Sequence, residues 1–286
     1  MTQSTRIRLG ISTCPNDTFA FHALLNRKVD WQGLDFEVEL LDIQQLNQRL
    51  FDDAWDVAKA SFHAALLLTE RTMVLPTGSA LGFGVGPLLL ASKADDRPTD
   101  LRQLTLCPGE HTTANLLFKL FYPNTTRIEH TVFSEIMPQL QQNRADFGVC
   151  IHEGRFTWQR QSLHLVEDLG TRWEQETNAP LPLGGILASR RLKPEIIARV
   201  NAVISDSLAY AHQNHSEARL SMRKYAQEFD DEVLMEHVKL YVNDWTTDLG
   251  ELGRDALSAL SERARAIGLI PEDASGIEVW NGSNCW

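Results

Sequence analysis

An α/β protein of two lobes is what the sequence predicts, and three observations carry the prediction. Short β-rich runs alternate with helical patterns through the first two-thirds of the 286-residue chain. From Pro194 the strand signal stops and amphipathic helices follow one another. Two segments interrupt the alternation: the polar stretch 92–100 and the Pro- and Gly-containing stretch 178–185. Strands alternating with helices imply βαβ units and largely parallel sheets. The two breaks imply a small lobe, residues 93–183, inserted into a larger lobe made of residues 1–92 and 184–286.

In order, the candidate strands are 7–12, 35–41, 57–60, 73–75, 87–91, 104–107, 128–132, 147–151, 163–166 and 185–188, each a short run of strand-forming residues. Helical spacing places helices between them at 18–26, 44–51, 62–69, 112–121, 135–143 and 172–176. The helical region then divides into 194–214, 217–227, 231–242 and 249–267, with Pro194 at a favoured first helical position. Two α/β lobes joined by two crossovers leave a cleft between them and can hinge. Residues 281–286 read as a frayed end.

Composition narrows the function. A hydrophobic fraction of 43% and a charged fraction of 23% belong to a soluble globular protein. The formal net charge of −11 repels nucleic acid and anionic membranes, yet one local cation can still admit a small anionic substrate. There is neither a signal-peptide pattern nor an apolar run of membrane-spanning length. Cys14, Cys107, Cys150 and Cys285 form no C-x-x-C pair. The expectation is a cytoplasmic protein without metal or other cofactor, monomeric or a weak dimer.

Four loops after predicted strands carry polar chemistry. In the first, Asn16 or Asp17 is placed to cap a helix and present donors to an anion, although from this loop alone an ordinary capped loop is the favoured reading. In the second, Lys59 and Ser61 share one face of a strand, with the small Ala58 and Ala60 on the other. A strand lysine needs solvent or a counter-charge; it reads as an edge guard or as half of a carboxylate-binding pair. In the third, Thr112 and Thr113 open a helix and offer hydroxyls and amides to an oxyanion, or Thr112 simply caps it. The fourth is the most informative: the apolar run 147–151 ends in His152, Glu153 and Arg155. Ligands of open α/β sheets bind at the carboxyl ends of strands, and histidine exchanges protons near neutrality. His152, beside Glu153 and Arg155, is therefore a candidate base, and it reads equally well as a structural histidine.

Other patterns exclude themselves. Gly82-Phe83-Gly84-Val85-Gly86-Pro87 lacks G-x-G-x-x-G spacing and leads into a strand, so it reads as a flexible junction. H-E-x-x-H, G-x-S-x-G and the P-loop are absent. His22 and His63 lie in apolar helical stretches and read as core or cleft-lining residues.

A series of motifs then sets a family register. It comprises Cys14-Pro15-Asn16-Asp17-Thr18-Phe19, Leu46-Asn47, Lys59-x-Ser61, Gly82-x-Gly84-x-Gly86-Pro87-Leu88 and Pro108-Gly109-x-His111-Thr112-Thr113-Ala114. It continues with Ile151-His152-Glu153-x-Arg155-Phe156-Thr157, Asp168-Leu169-Gly170, Trp173-Glu174 and Pro180-Leu181-Pro182-Leu183-Gly184. In this order the series resembles the 1,4-dihydroxy-6-naphthoate synthases, the cyclic dehypoxanthine futalosine lyases of menaquinone biosynthesis. Gly154 stands where a serine is common and Trp158 where a tyrosine is common; the tail after Ile277 has no counterpart.

The resemblance implies the fold of type 2 periplasmic binding proteins, with a central ligand cleft. It implies His152 as proton acceptor, Lys59, Ala60, Ser61, Thr112 and Thr113 as substrate-binding residues, and Asn16 and Asp17 lining the same cleft. It further implies that cleavage of a carbon–carbon bond releases a three-carbon fragment. Two alternatives stand beside it: a cytoplasmic binding protein for an anionic metabolite, and the related dehydration of chorismate.

Overall fold

The computed structural model describes residues 4–152, 154–225 and 230–282. The chain opens with β1 (Thr5–Ser12), α1 (Pro15–Ala20), α2 (His22–Leu25), β2 (Leu34–Leu41), α3 (Ile43–Phe51), β3 (Val57–Ser61), α4 (Phe62–Leu67), β4 (Thr72–Val74) and β5 (Ala80–Gly82). After residues 83–87 come β6 (Leu88–Ala91), β7 (Leu104–Cys107), α5 (Thr113–Phe121), β8 (Arg127–His130), α6 (Phe133–Gln141), β9 (Phe147–Cys150), α7 (Gly154–Thr157), β10 (His164–Asp168) and α8 (Leu169–Thr177). The chain returns through β11 (Leu181–Ser189) to α9 (Pro194–Gln213), α10 (His215–Tyr225), α11 (Asp231–Tyr241), α12 (Asp244–Thr247) and α13 (Gly250–Ala266).

Two sheets result. The first runs β2-β1-β3-β11-β4, with β5 also on β11; the second runs β10-β6-β9-β7-β8. Parallel pairing joins β2, β1 and β3 in one and β8, β7 and β9 in the other. The sheets are mixed rather than largely parallel, because the crossing strands β11 and β6 run antiparallel to their neighbours. The expected boundaries shift for the same reason. β6, assigned to the 1–92 segment, pairs with β9 and β10 in the second sheet. β11, which begins inside 93–183, pairs with β3 in the first.

Burial explains the layers. Ile7, Leu9 and Ile11 project from one face of β1 into a core with Phe19, Leu24, Val200, Val203, Ile204 and Leu208, so the C-terminal helices cover that face of the first sheet. A separate cluster of Leu88, Leu90, Leu106, Ile136 and Leu140 seats α6 on the second sheet. Trp280 donates its main-chain N–H to the Val74 carbonyl at 2.8 Å, and Val279 bridges Val74, so residues just before the expected frayed end extend the first sheet. Residues 283–286 and part of the predicted helix 217–227 lie outside the described residues.

Candidate functional site

The carboxyl ends of β1, β3 and β9 and the start of α5, which follows β7, meet at one cleft of about 690 Å³, its open mouth included. Asn16, Asp17, Lys59, Ala60 and Ser61 line it from the first sheet. Thr112, Thr113 and His152 line it from the second, so the structure brings these eight candidate residues to one place.

Lys59 stands at the centre of β3, between β1 and β11, and is only 4% exposed. That position excludes an edge guard. Its Nζ lies 2.8 Å from Asp17 Oδ1 and donates to the Gly78 carbonyl at 3.0 Å. Asp17 also accepts from the Ser12 hydroxyl at 2.5 Å and from Asn16 Nδ2 at 3.0 Å. An unpaired buried ion costs several kcal/mol, which this pairing offsets, but the pair brings no net positive charge to the cleft. The expected cap by Asn16 or Asp17 is not made. Cys14 is the N-cap of α1 and Pro15 opens the helix, so both polar residues sit inside the first turn, Asp17 against Lys59.

Ser61 keeps a proton for a ligand. Its N–H donates to Asn47 Oδ1 at 3.0 Å and its Oγ accepts from Asn47 Nδ2 at 3.1 Å, which leaves the hydroxyl hydrogen uncommitted. Of the two readings of the threonine pair, capping by Thr112 is the one the structure makes. Thr112 Oγ1 donates to the Gly109 carbonyl at 2.8 Å and accepts from Asn115 N–H at 3.3 Å, making it the N-cap of α5. Thr113 Oγ1 donates to the Leu183 carbonyl at 2.6 Å. Their hydroxyl protons are thus used within the protein. The donors left for an anion are the main-chain N–H groups of Thr113 and Ala114, in the first turn of α5 where no intrahelical acceptor exists. Behind them, His63 Nδ1–H donates to the Thr112 carbonyl at 3.0 Å, and burial lowers the His63 pKa to about 4. His63 lies outside the cleft lining, and His22 packs away from it against Ser221.

His152 follows β9 with φ 56°, in the left-handed region that costs a non-glycine residue roughly 1 kcal/mol or more. Its carbonyl accepts from Arg155 N–H at 3.1 Å, closing the turn into α7. The ring packs edge-on against Phe133 at 4.7 Å. Cys14 Sγ is 3.5 Å from Nδ1 and 3.6 Å from Nε2, within hydrogen-bonding reach of both ring nitrogens. Arg155 does not support the imidazole directly: its guanidinium donates to the Gly86 carbonyl at 2.6 Å and pairs with Asp168 at 2.7 Å. Glu153 lies outside the described residues. The buried thiols of Cys107 and Cys150 belong to the strands, and burial pushes Cys150 up to about 12.

His237 is the lining residue that the sequence reading misses. It comes from α11, 85 positions after His152 (237 − 152), and its ring stacks on His152 at 6.1 Å and 25°. Its Nε2 meets Asn16 Oδ1 at 3.0 Å. The available signal is positional: His237 shares the buried face of α11 with Leu234, Val238 and Tyr241, where a titratable side chain is out of pattern.

A family model described as "Menaquinone biosynthesis" matches residues 7–266. The chain belongs to this menaquinone biosynthesis family. Among curated relatives in the family register, a 1,4-dihydroxy-6-naphthoate synthase of Thermus thermophilus is 40% identical over 92% of this chain and 95% of its own. One of Streptomyces coelicolor is 38% identical over 93% of this chain and 95% of its own. A solved protein of Archaeoglobus fulgidus superposes with a TM-score of 0.87 at 33% identity, covering 93% of this chain and 98% of that one. The periplasmic aliphatic sulphonate binding protein of Escherichia coli, at 12% identity and a TM-score of 0.63, covers 98% of this chain and 96% of its own. This chain therefore has the architecture of periplasmic binding proteins, as the resemblance implied.

Proposed function

We infer that this protein is a carbon–carbon lyase that converts cyclic dehypoxanthine futalosine to 1,4-dihydroxy-6-naphthoate. The observation that carries the reading is the meeting of all four motif loops in one cleft, in a chain aligned nearly end to end with named synthases. The cleft suits such a substrate. Ile43, Val85, Pro87, Ile151 and Leu183 give it apolar walls for a fused ring. The Ser61 hydroxyl and the N–H groups of Thr113 and Ala114 suit the carboxylate, with the dipole of α5 behind it.

In this reading His152 removes a proton from the bound substrate and starts opening of its sugar-derived ring. Cleavage of the carbon–carbon bond releases a three-carbon fragment, and aromatisation leaves the naphthoate. Lys59 acts through Asp17, fixing the loop that carries Ser12 and Asn16. The reading places the protein in the cytoplasm as a monomer or weak dimer, acting without nucleic acid, membrane or bound cofactor. A net charge of −11 supports the exclusion of nucleic acid and anionic surfaces.

Incubation of the purified protein with cyclic dehypoxanthine futalosine, followed by mass spectrometry, tests this directly. The expected result is the dihydroxynaphthoate and the three-carbon fragment. Recovery of tightly bound but unchanged ligand overturns the lyase reading in favour of a binding protein.

A further inference from the structure

We propose that His237 is a substrate-binding residue: Asn16 holds it in the Nε2–H tautomer, and its Nδ1 accepts a hydrogen bond from a hydroxyl of the ligand in the cleft. The inference rests on the cleft being the naphthoate-forming site proposed above.

The argument begins at Lys59, which carries only donors. Its Nζ lies 2.8 Å from Asp17 Oδ1, and the Asp17 carboxylate also takes the Ser12 hydroxyl at 2.5 Å. A carboxylate so surrounded only accepts, so the Asn16 atom 3.0 Å from it is the donating amide nitrogen. The reverse orientation of Asn16 would set its carbonyl against a carboxylate. Asn16 Oδ1 therefore faces His237 Nε2 at 3.0 Å, and that nitrogen carries the proton. Donor and acceptor roles are thus fixed along four side chains.

The other nitrogen is left over. His237 is 2% exposed, and its Nδ1 is buried without a hydrogen-bond partner among the described residues. The nearest aromatic hydroxyl is engaged elsewhere: Tyr241, whose ring lies 4.4 Å from that of His237, donates to the Val85 carbonyl at 3.3 Å. Burial and the neighbouring His152 hold the His237 pKa well below the ordinary value, so the ring is neutral and Nδ1 keeps its lone pair. Buried polar atoms nearly always have partners, and a cleft-lining acceptor without one matches a donor on the ligand. A carboxylate cannot be that partner, since both groups accept. A hydroxyl can. His237 would therefore orient the ligand, with its hydroxyl toward α11 and its carboxylate toward α5.

The test uses two ligands and two variants of the full-length protein. 1,4-Dihydroxy-6-naphthoate carries the carboxylate and hydroxyls; 2-naphthoate carries the carboxylate alone. His237→Gln retains an N–H for Asn16 but has no acceptor at the Nδ1 position, whereas His237→Asn keeps a carbonyl near Nδ1. Under anaerobic conditions His237→Gln should weaken dihydroxynaphthoate binding by roughly tenfold or more and leave 2-naphthoate within about twofold. His237→Asn should recover part of the loss. A purely structural role would move both ligands together, and that outcome overturns the proposal. Nitrogen-15 NMR of the unliganded wild-type protein supplies a second readout: a His237 resonance protonated at Nδ1 also overturns it. Failure of the wild type both to bind dihydroxynaphthoate and to convert the futalosine derivative sinks the functional reading and this proposal with it. Normal conversion with an unchanged ligand ratio in His237→Gln sinks the role of His237 alone.

Discussion

At the scale of single residues, the proposed base is open to a direct test. His152 occupies a left-handed backbone position at the end of β9, with the Cys14 sulfur within hydrogen-bonding reach of both ring nitrogens. General base catalysis contributes about 10²- to 10⁴-fold, so His152→Asn should lower kcat by that order while changing product affinity little. Near-wild-type turnover would remove His152 from the mechanism. The position of this histidine was legible because a strand end followed by polar residues is a local pattern. The Lys59–Asp17 pair was legible only in half: a buried strand lysine demands a counter-charge, but nothing local says that Asp17, 42 positions earlier (59 − 17), supplies it. The cap by Thr112 was legible as one of two readings, whereas the acceptor of the Thr113 hydroxyl, the Leu183 carbonyl, is set by chain folding rather than by residue type. His237 was invisible because it approaches the site from a helix remote in sequence.

At the scale of elements, strands with strong local patterns were legible, and their partners were not. β5, only three residues long with two small ones, left no strand signal, and β6 fell into the second sheet because pairing with β9 and β10 is a long-range property. The crossover between β5 and β6 was read as a flexible junction on account of its glycines. The structure gives at least one of them a packing reason. A Cβ built on Gly86 would lie 2.1 Å from Gly170 Cα and 2.3 Å from Gly170 N, so the crossover and the first turn of α8 touch backbone to backbone. Arg155 fastens the same place, reaching the Gly86 carbonyl and Asp168, which itself accepts from Gly170 and Thr171 N–H at 3.0 and 3.1 Å. Gly86→Ala must separate these backbones. It should destabilise the protein by about 1–3 kcal/mol, read as a lower denaturant midpoint. Because Val85, Gly86 and Pro87 line the cleft, KM should rise as well. An unchanged midpoint would show that the crossover has room to move.

At the scale of the whole molecule, the buried histidines make stability depend on pH. Burial is the leading cause of lowered pKa values at His22, His63 and His237. A histidine depressed in the folded state binds fewer protons there than in the unfolded chain between its two pKa values. Stability is then complete above the unfolded value near 6.5 and declines as pH falls toward the folded value. For His63, lowered from 6.5 to about 4, the difference corresponds to about 3 kcal/mol, lost between those limits. A second whole-molecule effect opposes it: acidification reduces the net charge of −11 and relieves self-repulsion. The total curve therefore mixes two signs, and a variant is needed to isolate one. His63→Asn keeps an N–H for the Thr112 carbonyl and cannot take up a proton in this range. It should lower stability at pH 7 yet show a shallower decline from pH 6.5 to about 4, measured by denaturant titration at each pH. Parallel wild-type and variant curves across that window would mean that His63 takes up its proton alike in the folded and unfolded chain.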